Sequence, residues 1–223
     1  MPDDVHCALV SGGLDSAVML SRMLDDGASI QPVYVQTGTA WESVEFRWLE
    51  RFLKALDSPR LRPVHVLRFP MSDVYGAHWS MRGADVPSAD TPDEAVYLPG
   101  RNVILVAKTA VYCALNGMHR IALGVLAGNP FPDATDSFFT LLATSLSEGL
   151  SHSIEVDRPL AGMHKPDVVR AGAALPLGLT FSCIDPVDGN HCGRCNKCAE
   201  RRQGFVAAGV ADPTQYAAQP SRP

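Results

Sequence analysis

Apolar positions along the chain fall into two alternating spacings. Val5-His6-Cys7-Ala8-Leu9-Val10 is a short run rich in strand formers, and Ser11-Gly12-Gly13 breaks it. Ala17, Val18, Leu20, Met23 and Leu24 then recur at helical spacing up to Gly27, so the chain begins as strand, glycine turn and helix. Residues 30–36 predict a second strand, residues 42–56 an amphipathic helix with Val44, Trp48, Leu49, Phe52, Leu53 and Leu56 as its apolar set, and residues 63–69 a third strand. Residues 74–81 leave room for a short helix. From Arg82 to Asp93 the composition is Gly, Pro, Asp, Ser and Thr, which is loop chemistry, and the stretch near 76–98 reads as a mobile loop. Asn102 is placed to cap a helix that runs to about residue 116, apolar around most of its circumference and therefore read as buried. A strand over 120–125, a helix over 137–150, a strand over 153–156 and a helix opened by Lys165-Pro166 follow.

Strands alternating with helices predict an α/β fold, an open parallel sheet with helices on both faces. Such sheets bind ligands at the carboxyl ends of their strands, beside a topological switch point. The loops starting at Ser11 and Ala127 both follow predicted strands, which places them at that edge. The organisation read from the pattern is an α/β domain over 1–178, a cysteine-rich segment packed on it over 179–210, and a flexible Pro/Ala/Gln-rich tail over 211–223.

Composition narrows the function classes. The net charge of -5 over 223 residues disfavours a polynucleotide partner. No stretch approaches the roughly 18–20 apolar residues of a membrane span. The start of the chain has neither a basic region nor a long apolar one, so the expected location is the cytoplasm.

Two motifs carry chemistry. In Ser11-Gly12-Gly13-Leu14-Asp15-Ser16, two residues without a Cβ let the backbone turn sharply and approach a ligand, while unpaired amides at the helix start form an anion cradle. Ser11 and Ser16 add hydroxyl donors, and Asp15 beside phosphate points to donor orientation or Mg²⁺. The loop lacks the Gly-Lys-Ser/Thr ending of a Walker A motif. Cys183, Cys192, Cys195 and Cys198, spaced x8, x2 and x2, form a closed tetrahedral set that fits structural Zn²⁺ best, with an iron–sulfur cluster as runner-up. Cys7 and Cys113 stand alone in apolar segments and read as core residues.

Residues 11–16 resemble the PP-loop of the N-type ATP pyrophosphatases, which cleave ATP between the α and β phosphates. A PP-loop near the start and a four-cysteine knot near the end resemble the 7-cyano-7-deazaguanine synthases of the QueC type. The Pro99-Gly100-Arg101-Asn102 stretch, the Asn129-Pro130-Phe131-Pro132-Asp133 region, Arg158-Pro159-Leu160 with Lys165, and the segment from Thr180 to Phe205 resemble that family in colinear order, over roughly residues 5–208. The resemblance implies ATP-dependent conversion of 7-carboxy-7-deazaguanine and ammonia to the nitrile, with ATP, Mg²⁺ and Zn²⁺ as cofactors and a homodimer as the assembly. It implies catalytic roles for Asp15, Arg101 and Lys165, and substrate contacts from Gln36, Phe131 and Asp133.

The chain departs from the family in two places. Gln36-Thr37-Gly38-Thr39-Ala40 stands where the family has Tyr-Gly-Gln-Arg-His, and Asp133-Ala134-Thr135 stands for Asp-Cys-Arg. Both segments are expected to face substrate. They keep open a divergent PP-loop ligase that activates another carboxylate or joins a deazapurine to another acceptor. A zinc-knuckle binding module with a degenerate ATP site, built on Cys192 to Cys198 with Arg201 and Arg202, is the reading from another class.

Overall fold

The computed structural model describes residues 5–217. Strands β1 (Val5–Leu9), β2 (Ser29–Gln36), β3 (His65–Arg68), β4 (Arg120–Ala122) and β5 (Glu155–Asp157) form one sheet in the order β3-β2-β1-β4-β5. All neighbours run parallel, with His6 opposite Ile30 and Cys7 opposite Ile121. Helices α1 (Leu14–Asp25), α2 (Glu42–Leu56), α7 (Lys165–Ala171) and α8 (Asn196–Ala208) cover one face, and α5 (Arg101–Leu115) and α6 (Asp136–Leu150) cover the other. Short helices α3 (Ser72–Tyr75) and α4 (Trp79–Arg82) lie between β3 and α5.

Side chains alternate across a strand, so β1 sends Ala8 into the first core and Cys7 and Leu9 into the second. That double burial explains why the central strands β1 and β2 are largely apolar, while the edge strands β3 and β5 carry His65, Arg68, Glu155 and Asp157. Cys7 and Cys113 meet in the second core, as their apolar neighbours predict. The chain steps outward from β1 through β2 to β3, then returns to place β4 on the opposite side of β1. The loops after β1 and β4 therefore diverge at a switch point, which opens a crevice between them.

Two elements differ from the sequence pattern. The N-cap of α5 is Gly100, in the left-handed region at φ 74°, and Asn102 lies inside the first turn. There its backbone N–H donates to the Asp133 carboxylate at 3.0 Å and its amide donates to the Asp133 carbonyl at 2.8 Å. Nor is α5 buried all round: Val106, Ala110 and Cys113 face the sheet, while Val103, Val111 and Leu115 are exposed. The helix lies on the outer layer, so one stripe is enough to seat it. The pattern also gave no helix over residues 196–208. The buried positions of α8 are Asn196, Cys198, Ala199, Arg201, Gly204 and Phe205, and one large apolar residue among six makes no visible stripe.

A third core joins Trp41, Val96, Leu98, Phe181 and the four clustered cysteines. The loop between α4 and α5 lies over that cluster. Ser88 bridges Cys195, Ala89 N–H donates to the Arg194 carbonyl, and Asn196 N–H donates to the Pro87 carbonyl, the last two at 2.9 Å. Residues 211–217 return along the same segment, with the Arg201 Nε donating to Thr214 and Ala217 N–H to the His191 carbonyl. The rest of the predicted tail, residues 218–223, lies outside the described residues. Among the described residues, no helix is long and apolar enough to cross a membrane.

Phe205 is 1% exposed and ties α8 into the core of the sheet domain. Phe205→Ala should cost about 3–5 kcal/mol. Urea denaturation followed by circular dichroism should show one cooperative transition at a lower midpoint. A separate early transition with an unshifted main one would show that α8 is not part of this core.

Candidate active site

The turn after β1 is braced from every side. The Gly12 carbonyl accepts from Phe181 N–H at 2.8 Å. Within the loop, Gly13 N–H donates to Ser11 Oγ at 3.3 Å and Ser16 Oγ donates to the Gly13 carbonyl at 3.0 Å. The N-cap of α1 is Gly13, which offers no side-chain cap, so first-turn amides remain free for an anion in the crevice. Gly124, just past β4, presses on the same place. A Cβ there would lie 3.1 Å from the Asp15 carbonyl carbon and 3.2 Å from the Ser16 nitrogen. Only a residue without a side chain lets the two diverging loops touch.

Two cavities of about 260 and 450 Å³ open beside this loop, and both are lined by Ser11, Asp15, Glu45, Arg101 and Phe131. They form one cleft with a charged end and an aromatic end. At the charged end, Lys165 Nζ donates to both Asp15 oxygens at 2.9 and 2.7 Å and pairs with Glu200 at 2.9 Å. Glu200 also pairs with Lys197 at 2.6 Å. Burial alone would push the Glu200 carboxyl up, but Lys165 and Lys197 outweigh it and bring it down to about 2. Burial pushes Lys165 down, yet Asp15 and Glu200 more than reverse this, so Lys165 stays cationic well beyond the usual lysine range.

The aromatic end holds Phe131, stacked on Tyr97 at 5.1 Å between centroids, with Asp133 buried beside it. Arg101 lines both cavities, and its buried Nε has no partner. The predicted residues Ser11, Gly13, Leu14, Asp15, Ser16, Arg101, Phe131, Asp133 and Lys165 are thus brought to one cleft. Gln36 is not: it ends β2 and its side chain accepts from Arg68 at 3.2 Å.

The two departures from the family pattern do not face the cleft, contrary to expectation. Thr37 and Gly38 donate their N–H groups to Glu42 at 2.6 and 2.8 Å, and Thr37 and Thr39 are buried away from the cleft lining. Ala134 packs into the second core, and Thr135 caps α6 by accepting from Phe138 N–H at 3.2 Å. Both substitutions serve local turns and caps.

Glu45, like Tyr97 and Glu200, is a cleft residue that no sequence motif singled out. Glu45 is buried, lines both cavities, and accepts from the Tyr34 hydroxyl at 2.7 Å. Burial raises its carboxyl to about 7, against the opposing pull of Arg101 and Tyr34. The available signal was its position: it falls among Val44, Trp48, Leu49 and Phe52 on the apolar side of the helix.

The four cysteines converge as their spacing predicts. Their Sγ atoms all lie within 4.8 Å of one another, with Cys183–Cys195 and Cys192–Cys198 at 3.9 Å. Backbone N–H groups of Asp185 and Cys192 point at Cys183 Sγ, and those of Arg194 and Cys195 at Cys192 Sγ. Such donors stabilise thiolates. His191 is fully buried beside the set, and its Nε2 accepts from Ser182 N–H at 3.1 Å. Burial and then Arg201 lower its pKa to about 3, so it stays neutral.

Glu45 links the site to stability. Its folded pKa of about 7 exceeds the ordinary value of 4.5, so the folded state holds the proton more tightly. The stabilisation is complete below pH 4.5 and is lost as pH rises through 7, a swing on the order of 3 kcal/mol. Glu45→Gln should therefore melt higher than the parent at pH 8 and close to it at pH 4.5. Equal melting temperatures at both pH values would contradict the assignment.

Residues 6–209 match the family described as "Queuosine biosynthesis protein QueC". A protein of Methanothrix thermoacetophila named 7-cyano-7-deazaguanine synthase is 34% identical over 220 residues, covering 93% of this chain and 96% of the relative. Proteins of the same name from an Azoarcus species and from Anaeromyxobacter dehalogenans are each 31% identical, with at least 94% of both chains covered. Among solved structures, a 4-thiouridine synthetase–RNA complex with bound ATP shares the fold at a TM-score of 0.54 and 15% identity, over 96% of this chain and 47% of that one. With a match spanning both the glycine loop and the cysteine cluster, this chain belongs to the QueC family of queuosine biosynthesis proteins.

Proposed function

We propose that this chain is an ATP-dependent ligase that converts 7-carboxy-7-deazaguanine and ammonia into 7-cyano-7-deazaguanine. The observation that carries the reading is the joining of a phosphate-cradling loop, two cations and an aromatic-walled recess in one cleft, in a chain 34% identical to a full-length synthase of that name. The loop amides after Gly12 hold the ATP phosphates, and Lys165 neutralises charge as pyrophosphate leaves. Arg101, with its unpartnered Nε, holds the substrate carboxylate in line with the α-phosphorus. The deazapurine ring stacks at Phe131, with Asp133 beside its N–H edge.

The carboxylate oxygen attacks the α-phosphorus and pyrophosphate leaves, giving an acyl-adenylate. Ammonia displaces AMP to form the amide. A second ATP adenylates the amide oxygen, and loss of AMP and the remaining nitrogen protons yields the nitrile. Asp15 holds Lys165 beside the phosphates through both carboxylate oxygens, and Mg²⁺ would shield the phosphate charge when bound.

The cysteine set fits Zn²⁺. A tetrahedron with Zn–S of about 2.3 Å has sulfurs about 3.8 Å apart, against 3.9 Å for two of the pairs. Sulfurs within 4.8 Å of one another favour a single ion over a multi-iron cluster.

Both competing readings lose support. The altered segments at Thr37–Ala40 and Ala134–Thr135 lie outside the cleft lining, so they give no reason for a different acceptor. A nucleic-acid-binding knuckle needs free cations. Here Arg194 pairs with Asp185, Lys197 with Glu200, Arg201 is buried, and Arg202 donates to the Gly193 carbonyl.

Purified protein given ATP, Mg²⁺, 7-carboxy-7-deazaguanine and ammonium should yield the nitrile, AMP and pyrophosphate by mass spectrometry and phosphate analysis. Formation of ADP, or turnover of other carboxylates only, would overturn the proposal. Cys195→Ser should lose bound zinc by atomic absorption and melt at a lower temperature; a metal-free variant as stable as the parent would remove the structural role.

A further inference from the structure

Five carboxylates line the cleft: Asp93 is exposed, Glu200 is paired with Lys165 and Lys197, and two more are already committed. Asp15 is held by Lys165 through both oxygens, and Asp133 accepts from the first turn of α5. Glu45 is different. Its side chain receives a neutral donor, the Tyr34 hydroxyl at 2.7 Å. Arg101 acts on it through space, and among the described residues no Lys or Arg lies within ion-pair distance of it. A buried carboxylate without a direct counter-cation is a costly arrangement unless the site exists to take a cation or a proton.

Its position selects which cation. The Glu45 backbone carbonyl lies 3.1 Å from where a Cβ on Gly12 would stand, so α2 presses on the loop that cradles ATP. The side chain accepts from the Tyr34 hydroxyl and lines the cleft together with Arg101. Trp41 and Trp79, stacked at 5.7 Å, line the larger cavity together with Glu45, Phe131 and Phe181. Aromatic faces and one anionic oxygen pair suit a small, weakly hydrated cation. The proposed reaction has one such substrate, ammonium.

We propose that Glu45 binds the incoming ammonium and takes its first proton, which makes it a catalytic residue for the amide-forming step. This rests on the ligase reading above. Ammonium cannot attack until it loses a proton. The Glu45 carboxylate accepts that proton, and the freed lone pair forms the C–N bond at the acyl carbon. The tetrahedral adduct releases its second proton to solvent, and the C–O bond to AMP breaks with the electron pair leaving on the phosphate. A carboxyl raised to about 7 suits the transfer better than an ordinary one, because its basicity lies nearer that of ammonia.

Hydroxylamine separates this role from substrate binding. It is neutral near pH 7 and needs no proton acceptor before it attacks. Glu45→Gln should lose ammonium-dependent kcat/KM by about 100-fold or more. It should keep parental rates of acid-dependent ATP–pyrophosphate exchange and of hydroxamate formation. Loss of all three together would overturn the proposal and make Glu45 part of the acid or ATP site, as would unchanged ammonium turnover. Absence of exchange in the parent protein would instead overturn the ligase reading, and the Glu45 role with it.

A second measurement needs no variant. The charged and titratable groups facing Glu45 are Tyr34 from β2, Glu42 from α2 and Arg101 from α5. With Glu45 as proton acceptor, the rate per total ammonium falls below pH 7 and is level from there up to the ammonium pKa. Capture of free ammonia alone would instead give a rise of about tenfold per pH unit over that range, which would overturn the proposal.

Discussion

The half-buried ion chain Asp15–Lys165–Glu200–Lys197 is the interaction on which the rest of the site depends. Asp15 belongs to the glycine loop, Lys165 opens α7, and Glu200 and Lys197 lie on the first turns of α8. Three segments far apart in sequence are therefore fixed by one lysine and its two carboxylates. Removing any one member would unbalance a chain of two carboxylates and two ammonium groups that lies half out of water. The pairing also raises the Lys165 pKa, which favours the cationic form that its proposed phosphate-neutralising role needs.

This chain of charges gives the cysteine cluster a functional meaning. Cys198 lies between Lys197 and Glu200 on α8, and the loop over 87–98 lies against the same segment. Val96 and Leu98, which line the cleft, pack in the core that holds the four thiols. The cluster thus anchors both the charged end of the cleft and part of its wall. A tetrahedral ion there would act on catalysis through position, without touching the reacting atoms.

Much of this was legible in the sequence, for identifiable reasons. The strand–glycine–helix start, the 42–56 helix and the cysteine spacing are local patterns, and local patterns survive in one dimension. The pairings of Lys165 with Asp15 and of Asn102 with Asp133 were hidden because each spans the fold. Helix α8 was hidden because it buries an arginine and an asparagine where a stripe would carry leucine. Arg201 can be buried because it donates to Thr180, Ser182, Thr214 and the Leu177 carbonyl. The reverse error came from the segments at 37–40 and 134–135, which neighbour site residues in sequence but turn into caps and core in space.

The central claim is that the cleft moves AMP, not phosphate, onto a substrate carboxylate. The most direct test is to supply 7-carboxy-7-deazaguanine labelled with oxygen-18 in its carboxyl group and follow the label. Adenylation predicts oxygen-18 in AMP and none in pyrophosphate, because the bridging oxygen stays with the nucleotide when ammonia displaces it. Label in inorganic phosphate, with ADP as the nucleotide product, would contradict the account.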